Sequence, residues 1–221
     1  MATNDELVEH IERLRATPPA TWATRDRILF EAARLIAAKG YHGASTRDIT
    51  TAVGIRQPSL FSHFASKQEI VSELFRYEVS IPAERAQTYA AESGSPSARL
   101  YRYMRWDFEW YALMPLDLRG MHEELLVEPG LEQQREDLKV WKRAIEQIVR
   151  EGVKASEFHQ GTPAFVTNVL TALSWEVVRV SMHSRDGRAS AKLRARSAEF
   201  LLRGLLLDPH RVPQIIANEH R

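Results

Sequence analysis

Along the chain, apolar residues recur at three- and four-residue intervals in one segment after another, and they almost never alternate. That period belongs to amphipathic helices rather than strands. From Thr24 to Lys39, the positions Ile28, Leu29, Ala32, Leu35 and Ile36 mark one inward stripe, and Gly40 stands where a helix end favours a residue with positive φ. Ser45 with Asp48 three residues later has the form of a capping box, with Asp in place of the usual Glu, and predicts a second helix to about Val53. Gly54 permits a sharp turn. Pro58 then falls in the first turn of a third helix, where its missing N–H is harmless, and Leu60 and Phe64 give that helix an inward face at i, i+4. A fourth helix is predicted from Ser66, burying Ile70, Val71, Leu74 and Phe75 and running toward Tyr77–Ala86, with a bend or stop at Pro82. Ahead of these, Glu6–Arg15 reads as a short amphipathic arm, closed by the stiff Thr17-Pro18-Pro19.

The remainder is equally helical. Ser95-Pro96 opens a helix with Leu100, Tyr103, Trp106, Trp110 and Met114 on or near one face, interrupted at Pro115. Leu116–Val127 is a shorter segment. After Pro129-Gly130, the positions Leu138, Trp141, Ile145, Ile148 and Val149 predict a long helix ending about Gly152. Thr162-Pro163 is an N-cap followed by a first-position proline, and the helix it opens runs to about His183. Its apolar residues cover more than one stripe, so it needs neighbours on at least two sides. Arg185-Asp186-Gly187-Arg188 is a turn, and Ala189–Leu207 is a last helix stopped by Asp208-Pro209. The predicted fold class is all-α.

A chain of 221 residues with 44% hydrophobic content can bury a core of its own. With no cysteine, disulfides, thiolate metal sites and thiol nucleophiles are excluded. The first residues hold charges every few positions and no apolar signal core, and no stretch approaches ~18 uncharged apolar residues. The expectation is a cytoplasmic protein without a membrane partner. His122-Glu123-Glu124 lacks the second histidine of a zinc-binding helix motif, Asp107 and Glu109 point to different faces of a helix, and there is no Gly-rich phosphate loop. No metal, no cofactor and no catalytic residue are expected, so the chain is not expected to be an enzyme. The net charge of +1 argues neither for nor against a polyanionic partner.

The placement of charge says more. A helix, a tight turn containing Gly and a second helix make a helix-turn-helix, whose second helix enters the DNA major groove with its first residues facing base edges. Here those residues are Gln57, Pro58 and Ser59. The Gln amide can pair bidentately with adenine, Ser can give or take one bond, and Pro58 and Phe61 offer apolar contact to a thymine methyl. Arg47, Arg56 and Lys67 fall at helix starts around the turn, with Ser45, Thr46 and Ser66, where side chains and terminal amides can reach phosphates.

Arg25 to Phe75 resembles the DNA-binding domain of the TetR family of transcriptional regulators. The resemblance rests on the Ala-Ala-x-Leu-Ile helix, Lys-Gly-Tyr, the Ser-Thr-x-x-Ile entry, Val-Gly-Ile, and Leu60-Phe61-x-His63-Phe64-x-x-Lys67, all in order. It implies an N-terminal three-helix DNA-binding domain joined by a fourth helix to a larger helical ligand-binding and dimerisation domain. The corresponding expected bounds are an arm at 1–23, the DNA-binding domain at 24–79 and the effector and dimer domain at 80–221. Carried over position by position, it implies base contact or close groove approach by Arg47, Gln57, Pro58, Ser59 and Ser62, and phosphate contact by Thr46, His63 and Lys67. Phe61 stands where the family usually has Tyr, and Arg56 where a small capping residue is common. His63 has a second reading, as a residue holding the recognition helix against its neighbour.

The family habit of binding small effectors implies a pocket for an apolar or aromatic molecule. Its candidate lining is Tyr103, Trp106, Trp110, Tyr111, Met114, Met121, His122, Trp141 and Trp175, although aromatic spacing on helices also serves an ordinary core. The last two helices, 163–184 and 189–207, carry more apolar surface than one bundle can hide, and are the expected homodimer interface. The function expected is a repressor that reads a palindromic operator as a dimer and is released by its effector, with Phe75–Ala86 passing the motion. The alternative is a helical small-molecule or lipid-binding protein, or an enzyme, whose helix-turn-helix does not read DNA. An architectural DNA-binding protein fits a charge of +1 poorly. Whether the N-terminal arm contacts DNA, packs on the body or stays disordered is open at this level.

Overall fold

The structure is a computed structural model and describes residues 4–113, 127–161, 163–183 and 187–219. Every regular element among them is helical, as the sequence period requires. In chain order these are α1 (Asn4–Ala16), α2 (Thr24–Gly43), α3 (Thr46–Val53), α4 (Gln57–Phe61), α5 (Lys67–Phe75), α6 (Ile81–Ala91), α7 (Pro96–Leu113), α8 (Glu132–Lys154), α9 (Pro163–His183), α10 (Gly187–Leu205) and α11 (Val212–Asn218). The chain divides into two compact units, one formed by residues 1–81 with 113–137 and the other by residues 82–112 with 138–221. The segment predicted at Leu116–Val127, except for Val127 itself, lies outside the described residues, as do the N-cap predicted at Thr162 and the turn residues Arg185 and Asp186.

In the first unit, the predicted stripe of α2 is core: Ile28, Leu29, Ala32 and Ile36 are buried, as are Ile49 and Val53 of α3, Leu60 of α4 and Ile70 and Leu74 of α5, and α2 packs on α3 and α5. Regular α2 geometry breaks at Gly40, whose φ of 74° and ψ of 166° separate a final turn from the helix body. The arm is not separate. Ile11 of α1 is buried, His10 Nε2 lies 3.0 Å from Asp26 Oδ1, and Trp22 packs edge-on against Phe30 with centroids 5.2 Å apart. After α5, residues Arg76–Ser80 form a π-helical turn in which Ile81 N–H bonds the Arg76 carbonyl. Pro82, expected to bend or end the helix, comes next in the first turn of α6, where its absent N–H is tolerated.

The second unit packs Leu100, Met104 and Phe108 of α7, Ile145 and Ile148 of α8, Leu170 and Val177 of α9 and Leu202 of α10 into one core. Helix α8 ends at Lys154, close to the expected end near Gly152. A Cβ on Gly152 would lie 2.1 Å from the Phe158 ring, so the glycine allows close packing. Phe158 is held by its own backbone pairing with Leu206, with His159 N–H to Leu205 O and Leu207 N–H to Glu157 O both at 2.9 Å. The predicted break at Asp208-Pro209 is present, and the Asp208 side chain caps the short turn that leads into α11. Helix α11 escaped the sequence reading; Arg102 ties its end down through Glu219 at 2.9 Å while also binding Glu92 at 2.8 Å. No helix among the described residues is long and apolar enough to cross a membrane.

Candidate nucleic-acid interface

Helix α3 begins at the predicted capping box. Ser45 Oγ accepts from Asp48 N–H at 3.1 Å, and Asp48 Oδ2 accepts from Ser45 N–H at 2.9 Å and from the Ser45 hydroxyl at 2.5 Å. These bonds, with Lys39 Nζ at 3.1 Å, hold the Asp48 carboxyl well below the usual carboxylate range. At the other end, Gly54 adopts left-handed geometry (φ 76°, ψ 36°), its N–H bonds the carbonyls of Thr50 and Thr51, and Ile55 N–H also returns to Thr50. This double closure fixes the turn, and the Arg27 guanidinium adds a bond to the carbonyl of Val53.

Helix α4 leaves that turn as a five-residue element. Leu60 and Phe64 face inward and are fully buried, as the i, i+4 reading requires. The opposite face is open: Arg56, Gln57, Pro58, Ser62 and His63 are exposed, Ser59 is half-buried, and Phe61 is 46% exposed. An aromatic ring left that open beside a glutamine amide is a surface waiting for an apolar edge and a hydrogen-bonding partner, the two features a base pair presents in the major groove. Among the described residues, the side chains of Arg47, Arg56, Gln57 and His63 make no hydrogen bond or ion pair. Ser62 Oγ donates to the Ser59 carbonyl at 2.8 Å, so it has only lone pairs left to offer. Ser45 is likewise occupied in its cap, while Thr46 is half-buried at the first position of α3.

Lys67, expected to contact phosphate, also has partners inside the fold. Its Nζ donates to the carbonyls of Tyr41 (2.6 Å) and Ala44 (2.8 Å) and lies 4.0 Å from the centroid of the Tyr41 ring. Two of its three N–H groups are therefore used inside the fold.

The predicted effector residues have a different setting. Tyr103, Trp110 and Trp141 are core side chains, whereas Trp106 and Trp175 are half-buried. Met114, Met121 and His122 lie outside the described residues, and half-buried Tyr111 belongs to α7. Tyr103, Trp106 and Trp110 are brought together along α7, with Trp106 and Trp110 stacked at 5.6 Å and 12°. Trp141 joins them by donating its indole N–H to Tyr103 Oη at 2.5 Å. Of these, Trp106 lines an open groove of about 370 Å³ with Arg105, Glu109, Ala191, Arg194 and Ala195.

The sequence reading missed the polar centre of this unit. Asp107, 2% exposed, accepts from Tyr103 Oη at 2.8 Å and from Ser174 Oγ at 2.6 Å. Burial pushes its carboxyl up to about 6, against the opposing pull of those two bonds. The signal was available: Asp107 continues the buried series Leu100, Tyr103, Met104 at helical spacing, so the stripe itself assigns it to the core. Among the described residues no group of His, Asp and Glu could hold a metal ion.

Phe165 on α9 is 64% exposed and Phe200 on α10 71%, with Leu207 just past α10 at 49%. Apolar surface of that size on two neighbouring helices of one unit is what the expected dimer contact needs.

Residues 28–74 match the family model described as "Bacterial regulatory proteins, tetR family". The chain is similar to the HTH-type transcriptional repressor KstR2 of Mycobacterium tuberculosis, with 34% identity over 85 residues, covering 38% of this chain and 42% of the relative. The chain thus spans less than half the length of that curated relative in the match. Among solved structures, AmtR of Mycobacterium smegmatis superposes with a TM-score of 0.72 at 22% identity, over 90% of this chain and 95% of that one. The ketosteroid transcriptional regulator KstR2 of Mycobacterium tuberculosis gives 0.68 at 22% identity, over 84% and 96%. These superpositions extend the shared fold, an N-terminal helix-turn-helix followed by a larger helical portion, over nearly the whole chain.

Proposed function

We propose that this chain, whose residues 28–74 match the model of the tetR family of bacterial regulatory proteins, is a transcriptional repressor that binds a palindromic operator as a homodimer and is released by a small-molecule effector. The observation that carries the reading is the open face of α4, where Gln57, Pro58 and 46%-exposed Phe61 stand opposite a fully buried Leu60. Gln57 and Ser59 read base edges, Pro58 and Phe61 contact a thymine methyl, and Arg47, Arg56, Thr46 and His63 meet the backbone on either side. With Phe at 61, the aromatic contact is purely apolar.

The homodimer forms through α9 and α10, supported by exposed Phe165 and Phe200. A two-fold pair places its recognition helices about 34 to 36 Å apart, or at a multiple of one turn, and the operator is palindromic to match. The effector is apolar or aromatic, a class supported by half-buried Trp106, whose ring lines the groove on α7. It acts by preferring the arrangement of the dimer that misfits the grooves, and by linkage operator and effector weaken each other by one factor. Selection of bound duplexes from a random-sequence pool tests the core of the reading. A two-fold symmetric consensus is expected, and recovery of unrelated sequences with no symmetry would reject it.

A further inference from the structure

We propose that Lys67 is a positioning residue, which clamps the exit of the recognition helix to the corner from which α3 departs, rather than a ligand of the DNA backbone. The inference rests on the operator-reading function above. Helix α4 is too short to hold its own direction, with about one turn of backbone bonds and a single buried side chain, Leu60, followed by buried Phe64 in the connection that leaves it. A five-residue connection, Ser62–Ser66, leads from α4 to Lys67, the first residue of α5. The two carbonyls that Lys67 binds, Tyr41 O and Ala44 O, lie at the end of α2 and immediately before Ser45, the N-cap of α3. One ammonium thus joins the segment that enters the helix-turn-helix to the segment that leaves it. A cation is well matched to these acceptors, because carbonyls at the end of a helical turn lack internal partners. Charge-assisted bonds and the Tyr41 ring beneath the ammonium make the clamp stronger than a neutral pair would be. Partial burial lowers the pKa of the Lys67 ammonium, opposed by the nearby Glu128 carboxylate.

The test uses the full chain and a labelled duplex selected by the wild-type protein from a random pool, with affinity measured over a salt series well below every variant's melting transition. Lys67→Ala is expected to weaken binding about tenfold, the scale of lost charge-assisted bonds. The slope of log Kd against log salt should stay at the wild-type value, and the melting temperature without DNA should fall. Tyr41→Leu keeps the ammonium and its charge but removes the ring, and is expected to show the same pattern in smaller measure. Lys67→Arg, which can reach the same carbonyls and stack on Tyr41, should recover both affinity and melting temperature. A slope reduced by about 0.9 in Lys67→Ala, with melting unchanged and Tyr41→Leu indistinguishable from wild type, overturns the clamp and makes Lys67 a phosphate ligand. If Lys67→Ala does not fold, the Tyr41→Leu and Lys67→Arg comparison decides. If the wild-type chain selects no duplex, the operator reading fails, and the melting temperatures alone still decide for or against the clamp.

Discussion

Replacing Asp107 by Asn asks whether the second unit is built around a carboxyl group that prefers to be neutral. Among the described residues Asp107 receives hydrogen bonds from Tyr103 and Ser174 and no cation acts on it, and burial lifts its pKa from 3.8 to about 6. A group whose folded pKa lies above its unfolded value contributes stability that is fully present below the unfolded pKa and is lost as pH rises through the folded one. At about 1.36 kcal/mol per pKa unit, the gap here is worth roughly 3 kcal/mol, lost between about pH 4 and pH 6. Against a total stability of about 5–15 kcal/mol for a typical domain, that is large enough to measure.

Asparagine is neutral at every pH and can keep the network intact. Its carbonyl can accept from the Tyr103 hydroxyl, and its amide can donate to Ser174 Oγ, whose proton then turns to the Leu170 carbonyl 2.9 Å away. Asp107→Asn should therefore match the wild type near pH 4 and exceed it by up to about 3 kcal/mol near pH 7.5. Urea unfolding of both proteins across a pH series measures the difference, and taking the difference cancels the titration of every other group. A gap that does not change with pH, or that widens toward acid, refutes the reasoning.

Three further outcomes are expected from other parts of the structure. Gln57→Ala should lose about 1–3 kcal/mol at one base position, seen by competition among duplexes that differ at single bases; an equal loss on all sequences would deny it a reading role. Gly54→Ala should cost about 1–2 kcal/mol of unfolding free energy from backbone conformation alone, since φ is 76° and an added Cβ meets nothing within 4 Å; an unchanged urea midpoint would show that the turn can relax. Phe200→Glu should shift the dimer toward monomer in size exclusion with light scattering, because Phe200 is 71% exposed on α10; a dimer that persists unchanged would place the subunit contact elsewhere.

The fold was legible where its cause is local. The capping box at Ser45, the left-handed Gly54, the inward pair Leu60 and Phe64 and the stripe of α2 each come from spacing over a few residues, and all appear as expected. Legibility failed where the cause lies far along the chain. Gly152 marks the neighbourhood of the α8 end, but the Phe158 ring packed against it could not be read from nearby residues. Helix α11 carries Val212, Ile215 and Ile216 at helical spacing but is only seven residues long, too short for a period to stand out, and its end is held by Arg102, more than a hundred residues earlier in the chain. The arm could be placed only once His10 was seen against Asp26 and Ile11 inside the core.

Charged residues show most clearly why spacing alone runs out. Arg47, Arg56 and Lys67 look equivalent in the sequence, as cations at helix starts around one turn, yet two project without partners among the described residues while the third is bound to carbonyls 26 and 23 residues away. Asp107 and Glu109 make the converse pair: two positions apart on α7, one is enclosed with a raised pKa, and the other is exposed in an ion pair with Arg194 at 2.8 Å. A charge costs little on the surface and several kcal/mol in a core, so the fold must supply each buried one with partners drawn from wherever the chain returns. Those partners, rather than the neighbours in sequence, decide whether such a residue meets DNA, braces the helix that does, or titrates inside the fold.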